Sequence, residues 1–292
     1  MLVAREVPAR PLPATLLSLT VVVWATLPSC SRTPLEEAEQ NPVPSVECND
    51  SASLGRTMSM QYDGALIPVD GADKDYYVQT NWWYLYKGQT VAVNGLSYTL
   101  GNPAGARSDG NMPMGYPSFF IGSYSGHTTR GSNLPKQVSA LSKVPTTLAT
   151  NASSMGTSNY NAAYDVWLTA SGSPLSNYQF GPGAGGAYLM VWLFMPSDRQ
   201  PRGAFAYRSQ KVDGLPGTWD VWIDNSDPAC ISYVSTTPLA RLDFDLNDVI
   251  QDAVKNSYGV TSSMYLSIVF GGFEVWGGGD GLRLEAFCAN VR

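Results

Sequence analysis

The side chains available for chemistry in this 292-residue chain are mainly carboxylates and aromatic rings. The sequence has 24 acidic residues, 16 Tyr and 8 Trp, but a single histidine, His127. A Ser-His-Asp hydrolase or a His-rich metal site needs imidazoles placed together with their partners, so both classes of site are disfavoured. Nothing in the sequence calls for a metal or an organic cofactor. We therefore expect acidic and aromatic residues to carry any reaction.

The composition indicates a folded globular protein. Apolar residues make up 44% of the chain and charged residues only 14%, well below the usual share of about 25%. Basic residues (18) are outnumbered by acidic ones, and the formal net charge is −6. Since nucleic-acid binding needs a basic surface to neutralise phosphates, nucleic acid is a poor candidate partner.

The first 29 residues have the pattern of a signal peptide. Arg5 and Arg10 precede an apolar run at 16–27, which is too short to span a bilayer. The run ends in Leu-Pro-Ser-Cys, which resembles a bacterial lipobox despite its proline. This predicts a lipoprotein-type signal peptide over 1–29 and lipidation of Cys30. Plain secretion is the alternative, and both place the protein outside the cytoplasm.

Residues 30–46 contain three prolines and no apolar period, which is typical of a flexible tether. The folded domain is expected over 47–292. In an oxidising compartment the thiols of Cys48, Cys230 and Cys288 favour one disulfide, whose pairing the sequence does not give.

The domain sequence is typical of an all-β protein. Leu246 to Ser257 has helical apolar spacing, with Asp245 as N-cap and Asp248 in the first turn. Gly- and Pro-rich turns separate the other segments, and no fixed-period repeat is present, so a sandwich or jelly roll is predicted. Ten segments have β-branched or alternating character: 76–86, 90–98, 118–124, 160–169, 187–194, 203–210, 218–223, 230–236, 265–270 and 282–291.

Five motifs occur in a characteristic order: YPSFFIG at 116–122, LPKQV at 134–138, YNAAYDVW at 160–167, LMVWL at 189–193 and GFEVW at 272–276. Together they resemble glycoside hydrolase family 12, the endo-β-1,4-glucanases and xyloglucanases, from about Cys48 to Val291. The resemblance implies a β-jelly roll of two antiparallel sheets with one helix, in which the concave sheet forms the substrate cleft. It also implies a β-glucan polysaccharide or oligosaccharide as partner. A monomer is the default expectation.

The resemblance implies two catalytic positions and one departure. The family uses two glutamates in a retaining mechanism. Glu274 matches the general acid/base, and Asp165 matches the aspartate beside the nucleophile. The nucleophile strand of the family reads Glu-x-Met-x-Trp; because Met190 and Trp192 match, Tyr188 stands where the glutamate is expected.

Substrate contacts are also implied by the resemblance. Asn81 and Trp83 match a cleft Asn that bonds a sugar hydroxyl and a Trp that stacks on a pyranose. Met190 shares the cleft floor with Tyr188. The family usually has a short disulfide loop with a His, and here Tyr124 takes the place of the His.

The cysteines of that loop are replaced by Ser123 and Thr128. His127 falls at a non-catalytic loop position and is expected on the surface.

Three mechanisms stay open. Tyr188 could act as a nucleophile activated by Asp165, as sialidases use a tyrosine. Asp165 could instead serve as base for a water opposite Glu274, which gives inversion. The third possibility is a non-catalytic cell-surface protein that binds glycans on the same fold.

Overall fold

A computed structural model of the chain describes residues 52, 54–83, 89–102, 112–152, 159–175 and 185–292. All of these residues belong to one compact unit. The predicted signal peptide, Cys30, the tether and Cys48 lie outside the described residues. No helix in the described part of the chain is long and apolar enough to cross a membrane.

The described residues form β-strands and one α-helix, α1 (Leu246–Lys255). The strands are β1 (Gly55–Met58), β2 (Gly64–Pro68), β3 (Asp75–Gln79), β4 (Thr90–Asn94), β5 (Ser97–Gly101), β6 (Ser118–Tyr124), β7 (His127–Thr128), β8 (Lys136–Gln137), β9 (Pro145–Thr150), β10 (Asn159–Thr169), β11 (Gly186–Trp192), β12 (Ala204–Gln210), β13 (Trp219–Asp224), β14 (Ala229–Ser235), β15 (Arg241–Asp245), β16 (Tyr265–Gly277) and β17 (Arg283–Ala289).

The strands build two sheets, which confirms the predicted all-β jelly roll. The smaller sheet has the order β1-β4-β5-β17-β9-β15. The larger sheet has the order β12-β13-β14-β11-β10-β16-β6-β3-β2, with β7 paired to β6 and β8 to β16. Strands β11 and β14 are parallel, and the other described pairs are antiparallel. One face of the larger sheet packs on the core, and the opposite face is called the outer face below.

The sequence of β10 shows why the larger sheet has two distinct faces. Successive side chains of a strand point to opposite sides. Ala162, Tyr164, Val166 and Leu168 are fully buried and belong to the main hydrophobic core. The odd-numbered residues between them therefore reach the outer face.

Two predicted segments do not form a single strand over their whole length. The segment expected at 76–86 ends as a strand at Gln79, because Asn81 takes a left-handed backbone conformation with φ 44°. The segment expected at 90–98 is a hairpin of β4 and β5. Gly95, with φ 58°, begins the two-residue loop between Asn94 and Ser97, a position where glycine is favoured.

Strand β16 is longer than the predicted 265–270. It continues through Gly271 and Gly272 to Gly277. A Cβ on Gly271 would collide with the Phe287 ring, and one on Gly272 would collide with the backbone of β6. These glycines thus allow close packing inside a strand and do not mark its end.

The helix prediction is confirmed within two residues. Helix α1 begins at Leu246, and the Asp245 side chain accepts a hydrogen bond from the backbone N of Asn247. Its apolar residues join the main core. Of the cysteines, Cys230 is a buried free thiol, whereas Cys288 is in a disulfide whose partner lies outside the described residues.

Candidate active site

The outer face of the larger sheet holds the side chains that the sequence predicts to be functional. The side chains of Asn161, Asp165 and Trp167 are separated by even numbers of residues, so they project from the same face of β10. Asp165 lies opposite Met190 on β11, and Asn161 lies opposite Glu274 on β16. Neighbouring strands therefore bring the two carboxyl groups to one region of the sheet.

A cavity opens on this face. It brings together six of the seven predicted catalytic and substrate-binding residues. Its lining residues are Asn81, Trp83, Tyr116, Tyr124, Asp165, Trp167, Met190, Phe270 and Glu274. Two carboxyl groups thus share a small, largely aromatic chamber.

Asp165 is held by its neighbour two residues along the strand. Trp167 Nε1 donates a hydrogen bond of 3.0 Å to Asp165 Oδ2. The other oxygen, Oδ1, is shielded from solvent and has no hydrogen-bond partner among the described residues. Burial raises the pKa of Asp165 to about 7, although the indole hydrogen bond opposes the rise.

Glu274 is held by Asn161. The amide Nδ2 of Asn161 donates a hydrogen bond of 2.7 Å to Glu274 Oε2. Burial raises the pKa of Glu274 to about 8, the amide hydrogen bond opposes the rise, and the negative charge of Asp165 adds to it. Glu274 is therefore protonated at neutral pH, whereas Asp165 begins to ionise there.

Tyr188 lies on the same face but is not among the described residues that line the cavity. It is opposite Trp167 on one side and Cys230 on the other. Its ring packs edge-on against Trp167, with centroids 5.3 Å apart. Burial, together with the charge of Asp165, raises the pKa of Tyr188 to about 12. The phenol thus keeps its proton at neutral pH.

The consecutive residues Trp82 and Trp83 have different environments. Trp82 is fully buried in the main core, whereas Trp83 lines the cavity. Trp83 Nε1 donates a hydrogen bond of 3.1 Å to Asn81 Oδ1, and its carbonyl accepts one of 2.9 Å from Gln61 Nε2. The left-handed backbone at Asn81, which asparagine tolerates well, sets this arrangement.

The hairpin of β6 and β7 borders the cavity. Tyr124 lies edge-on to Trp167, with centroids 5.3 Å apart. Ser123 and Thr128 face each other across the hairpin, and their hydroxyl groups are hydrogen-bonded. His127 is exposed, as predicted, and its ring stacks on Tyr77 at 4.2 Å.

A second, shallower cavity adjoins the first and shares Asn81 and Tyr124 with it. The two cavities therefore extend one trough along the outer face. The lining of the second cavity is polar and aromatic: Tyr62, Asp63, Tyr77, Gln79, Asn81, Tyr124, Ser125 and His127.

Sequence reasoning missed three lining residues of the first cavity, Tyr116, Trp167 and Phe270, together with Asn161, which holds Glu274. Asn161 and Trp167 lie at even spacings from Asp165 on one strand, and Phe270 lies at an even spacing from Glu274, so alternation could have found all three. For Tyr116 no sequence signal pointed to the cavity. Within the described ranges, no three His, Cys, Asp or Glu side chains gather in a group that could hold a metal ion.

Comparison with known proteins decides the family. The profile of glycosyl hydrolase family 12 matches residues 74–292. The chain belongs to this family. A family 12 relative, the probable cellulase Cel12b of Mycobacterium tuberculosis, is 27% identical over 162 residues, covering 55% of this chain and 99% of the relative.

Solved family 12 structures share the fold. Endoglucanase cel12A from Rhodothermus marinus is 31% identical with a TM-score of 0.68, and the match covers 81% of this chain and 99% of that enzyme. A metagenome-derived family 12 endoglucanase is 29% identical with a TM-score of 0.69, covering 82% and 99% of the two chains. This family 12 chain therefore shares its jelly-roll fold with these two endoglucanases.

Proposed function

We propose that this family 12 protein is an exported glycoside hydrolase that cleaves β-1,4-glucosidic bonds of a β-glucan. Its family and its cellulase relatives support a β-glucan substrate. The single observation that carries the proposal is the pairing of Asp165 and Glu274 in one cavity, beside Asn81 and Trp83. Aromatic faces suit the C–H surfaces of sugars, and polar tips orient the ring.

Glu274 is the proton donor in this proposal. With its pKa raised to about 8 it holds a proton at pH 7, and Asn161 fixes the orientation of its carboxyl group. When the glycosidic C–O bond breaks, this proton passes to the leaving oxygen. A carboxyl group kept neutral by burial is suited to that role.

Asp165 is the base in this proposal. Asp165 lines the cavity, and its pKa of about 7 makes it a stronger base than an ordinary carboxylate. A water that donates a proton to Asp165 attacks the anomeric carbon while Glu274 protonates the leaving group. This is an inverting displacement, which requires carboxyl groups about 6.5 to 9.5 Å apart.

The site supports the nucleophilic tyrosine less well. By alignment Tyr188 stands at the position of the family nucleophile, and a retaining reaction would form a bond between its oxygen and the sugar. That reaction needs a base for the phenol proton. Burial and the charge of Asp165 raise the pKa of Tyr188 to about 12, so the phenol gives up its proton less readily than an ordinary tyrosine.

Release of reducing ends from carboxymethylcellulose, mixed-linkage glucan and xyloglucan tests the proposal. We expect activity from the wild type and a loss of at least 100-fold in the isosteric variant Glu274→Gln, since general acid catalysis contributes about 10² to 10⁴-fold. Proton NMR of the first product should show the α-anomer, which reports inversion. Inactivity of the wild type on all three glucans would contradict the proposal.

The variant Tyr188→Phe separates the two chemical routes, and Tyr188→Glu tests the non-catalytic alternative below. The water route predicts that Tyr188→Phe keeps activity, because only the hydroxyl is removed. The tyrosine route predicts that this variant is inactive and that the wild type yields the β-anomer. A covalent adduct on Tyr188, trapped with a fluorinated glycoside, would also decide for the tyrosine route.

A non-catalytic glycan-binding protein is the second candidate. The protonated phenol of Tyr188, in place of the glutamate expected from the family pattern, favours it. This candidate predicts a wild type that binds cello-oligosaccharides without hydrolysis, together with a gain of activity in Tyr188→Glu.

Export is proposed from the sequence alone. We assign a signal peptide to 1–29, lipidation to Cys30, a tether to 30–46 and the catalytic domain to 47–292, and we take the protein to be a monomer. Incorporation of labelled palmitate that disappears in Cys30→Ala would support the lipid anchor. Secretion without label would support simple export instead.

A further inference from the structure

Strand β12 is an unusual edge of the larger sheet. All seven of its residues are exposed, and Phe205 and Tyr207 remain 40% and 45% exposed. Edge strands are commonly protected by charged residues or proline. Here the first four residues are Ala-Phe-Ala-Tyr, so the edge presents two aromatic side chains to solvent.

These aromatic residues belong to an open groove, which we call the edge groove. It lies between β12, the end of β13 and the residues that follow α1. Its lining contains no charged residue: Ala204, Phe205, Ala206, Tyr207, Ile223, Asn225, Asn256, Ser257 and Tyr258. A groove without charge favours a neutral ligand over a phosphate, an acidic polymer or a basic peptide.

The aromatic rings of the edge groove are fixed by their neighbours. Tyr207 and Tyr258 stack with centroids 5.5 Å apart and an angle of 29° between their planes. Phe205 packs edge-on against Trp222, and the Arg208 guanidinium lies 5.2 Å from the Phe205 ring. Rings that are already ordered lose little conformational entropy when a ligand stacks on them.

Amide groups lie beside these rings. The Nδ2 of Asn256 donates hydrogen bonds to the carbonyl and carboxylate of Asp252, which fixes its side chain. Asn225 adds a second amide to the lining. Exposed aromatic rings next to amides have the chemistry that binds a neutral sugar chain.

Contacts connect the edge groove to the candidate active site. Phe205 contacts Trp222, and Trp222 packs on a cluster of Trp192 and Trp276. Met190, which lines the cavity, packs on the same cluster. Tyr207, in contrast, is opposite Val221, which packs in the main core, so the rings of Phe205 and Tyr207 leave β12 on opposite faces. A glucan stacked on Tyr207 and Tyr258 would therefore lie on the side of the sheet away from the cleft.

We propose that the edge groove is a second β-glucan-binding site, which holds the polymer at the edge of the sheet, on the side away from the cleft, without taking part in hydrolysis. The identity of the glycan rests on the proposed function. The stacked pair Tyr207 and Tyr258 provides the main platform, and the two amides complete the site.

The test measures binding of the full chain carrying Glu274→Gln, which prevents turnover, to amorphous cellulose. We expect Tyr207→Ala with Tyr258→Ala to weaken binding about five- to tenfold, the effect of losing roughly 1 kcal/mol of stacking. Tyr207→Phe keeps the ring and should keep affinity. Leu66→Ala, on the exposed edge strand β2 at the far side of the sheet, is the matched control.

Hydrolysis of a short soluble cello-oligosaccharide is measured in the same groove variants without Glu274→Gln. We expect it to be unchanged, because the edge groove does not touch the cleaved bond. Unchanged cellulose affinity in a folded double variant would overturn the inference and leave the proposed function standing. Groove-dependent binding by a wild type that hydrolyses no glucan would support the inference and contradict the proposed function.

A second copy of the chain is the competing occupant, since an exposed edge strand can pair with another edge. Sedimentation velocity of the wild type and Tyr207→Ala distinguishes it. A dimer in the wild type that becomes a monomer in the variant would overturn the inference, and a monomer in both would support it.

Discussion

Asn161 and Glu274 exchange two hydrogen bonds across β10 and β16. Asn161 Nδ2 donates to Glu274 Oε2 at 2.7 Å, and the backbone N of Glu274 donates to Asn161 Oδ1 at 3.2 Å. The pair fixes both the amide and the carboxyl group. It also lowers the pKa of Glu274 against the larger effect of burial, so Asn161 sets the proton affinity of the candidate acid.

Removing this amide should move the pH dependence of hydrolysis. We expect Asn161→Ala to raise the pKa of Glu274 further, because the charged form loses its hydrogen bond. The alkaline limb of kcat/KM should then shift upward by about one pH unit, given roughly 1.5 kcal/mol for a hydrogen bond to a charged group. A fall in activity at every pH with an unmoved limb would indicate a purely structural role.

The wild-type pH profile should be a narrow bell. The reactive form needs ionised Asp165, with a pKa of about 7, and protonated Glu274, with a pKa of about 8. Activity is therefore expected to rise through about pH 7 and to fall above about pH 8. Because the two groups interact, the apparent pKa values of the two limbs belong to the pair and not to either residue alone. An optimum near pH 5 would contradict this assignment.

The same carboxyl groups predict a change of stability with pH. The raised pKa of Glu274 means that the folded state binds more protons than the unfolded state between about pH 4 and pH 8. Its contribution to stability is thus present at low pH and is lost as the pH rises through 8. Glu274→Gln, which is neutral throughout, should gain thermal stability over the wild type at pH 8.5.

Thermal melts of both proteins at pH 5 and pH 8.5 measure this difference, which should be small at pH 5. Glu285→Gln, which removes an exposed carboxylate, serves as the control. A difference in Tm that is equal at the two pH values would show that Glu274 titrates near its ordinary value.

The fold and most of the candidate site could be predicted because strand alternation is strong in the centre of the larger sheet. In β10, the even positions are aliphatic or aromatic, and every odd position except Ala163 is polar or aromatic, so the pattern defines both faces. The edge strands were harder: β1 is exposed in its first three residues and has little apolar pattern. The predicted strand stopped before Gly271 and Gly272, short of the observed end of β16, because consecutive glycines usually mark a turn.

The environment of each site residue could not be predicted. The motif around Asp165 gave its position on the strand, but not the hydrogen bond from Trp167 or the lack of a partner for Oδ1 among the described residues. Tyr116 enters the cavity from an irregular segment whose position depends on its pairing with β16. Such contacts join residues distant in sequence, and a strand pattern carries no information about them.

Substrate binding should depend on the exposed face of Trp83. Trp83→Ala is expected to raise KM for a cello-oligosaccharide about tenfold, since aromatic stacking contributes roughly 1.4 kcal/mol. Trp83→Tyr keeps a ring and should lose less. Steady-state kinetics at the pH optimum distinguish this result from a loss confined to kcat, which would argue against a stacking role.

The hairpin of β6 and β7 should accept a disulfide at Ser123 and Thr128. These residues are directly opposite, and their hydroxyl groups already meet. We expect Ser123→Cys with Thr128→Cys to form the cross-link in air and to stabilise the domain by about 2 kcal/mol, the value for so short a loop. For a domain of this size that corresponds to a rise in Tm of about 4 °C.

Thiol titration of the denatured double variant should find no more free thiols than in the wild type, and reduction should abolish the gain in Tm. Two additional free thiols after oxidation would show that the strands do not hold these side chains together.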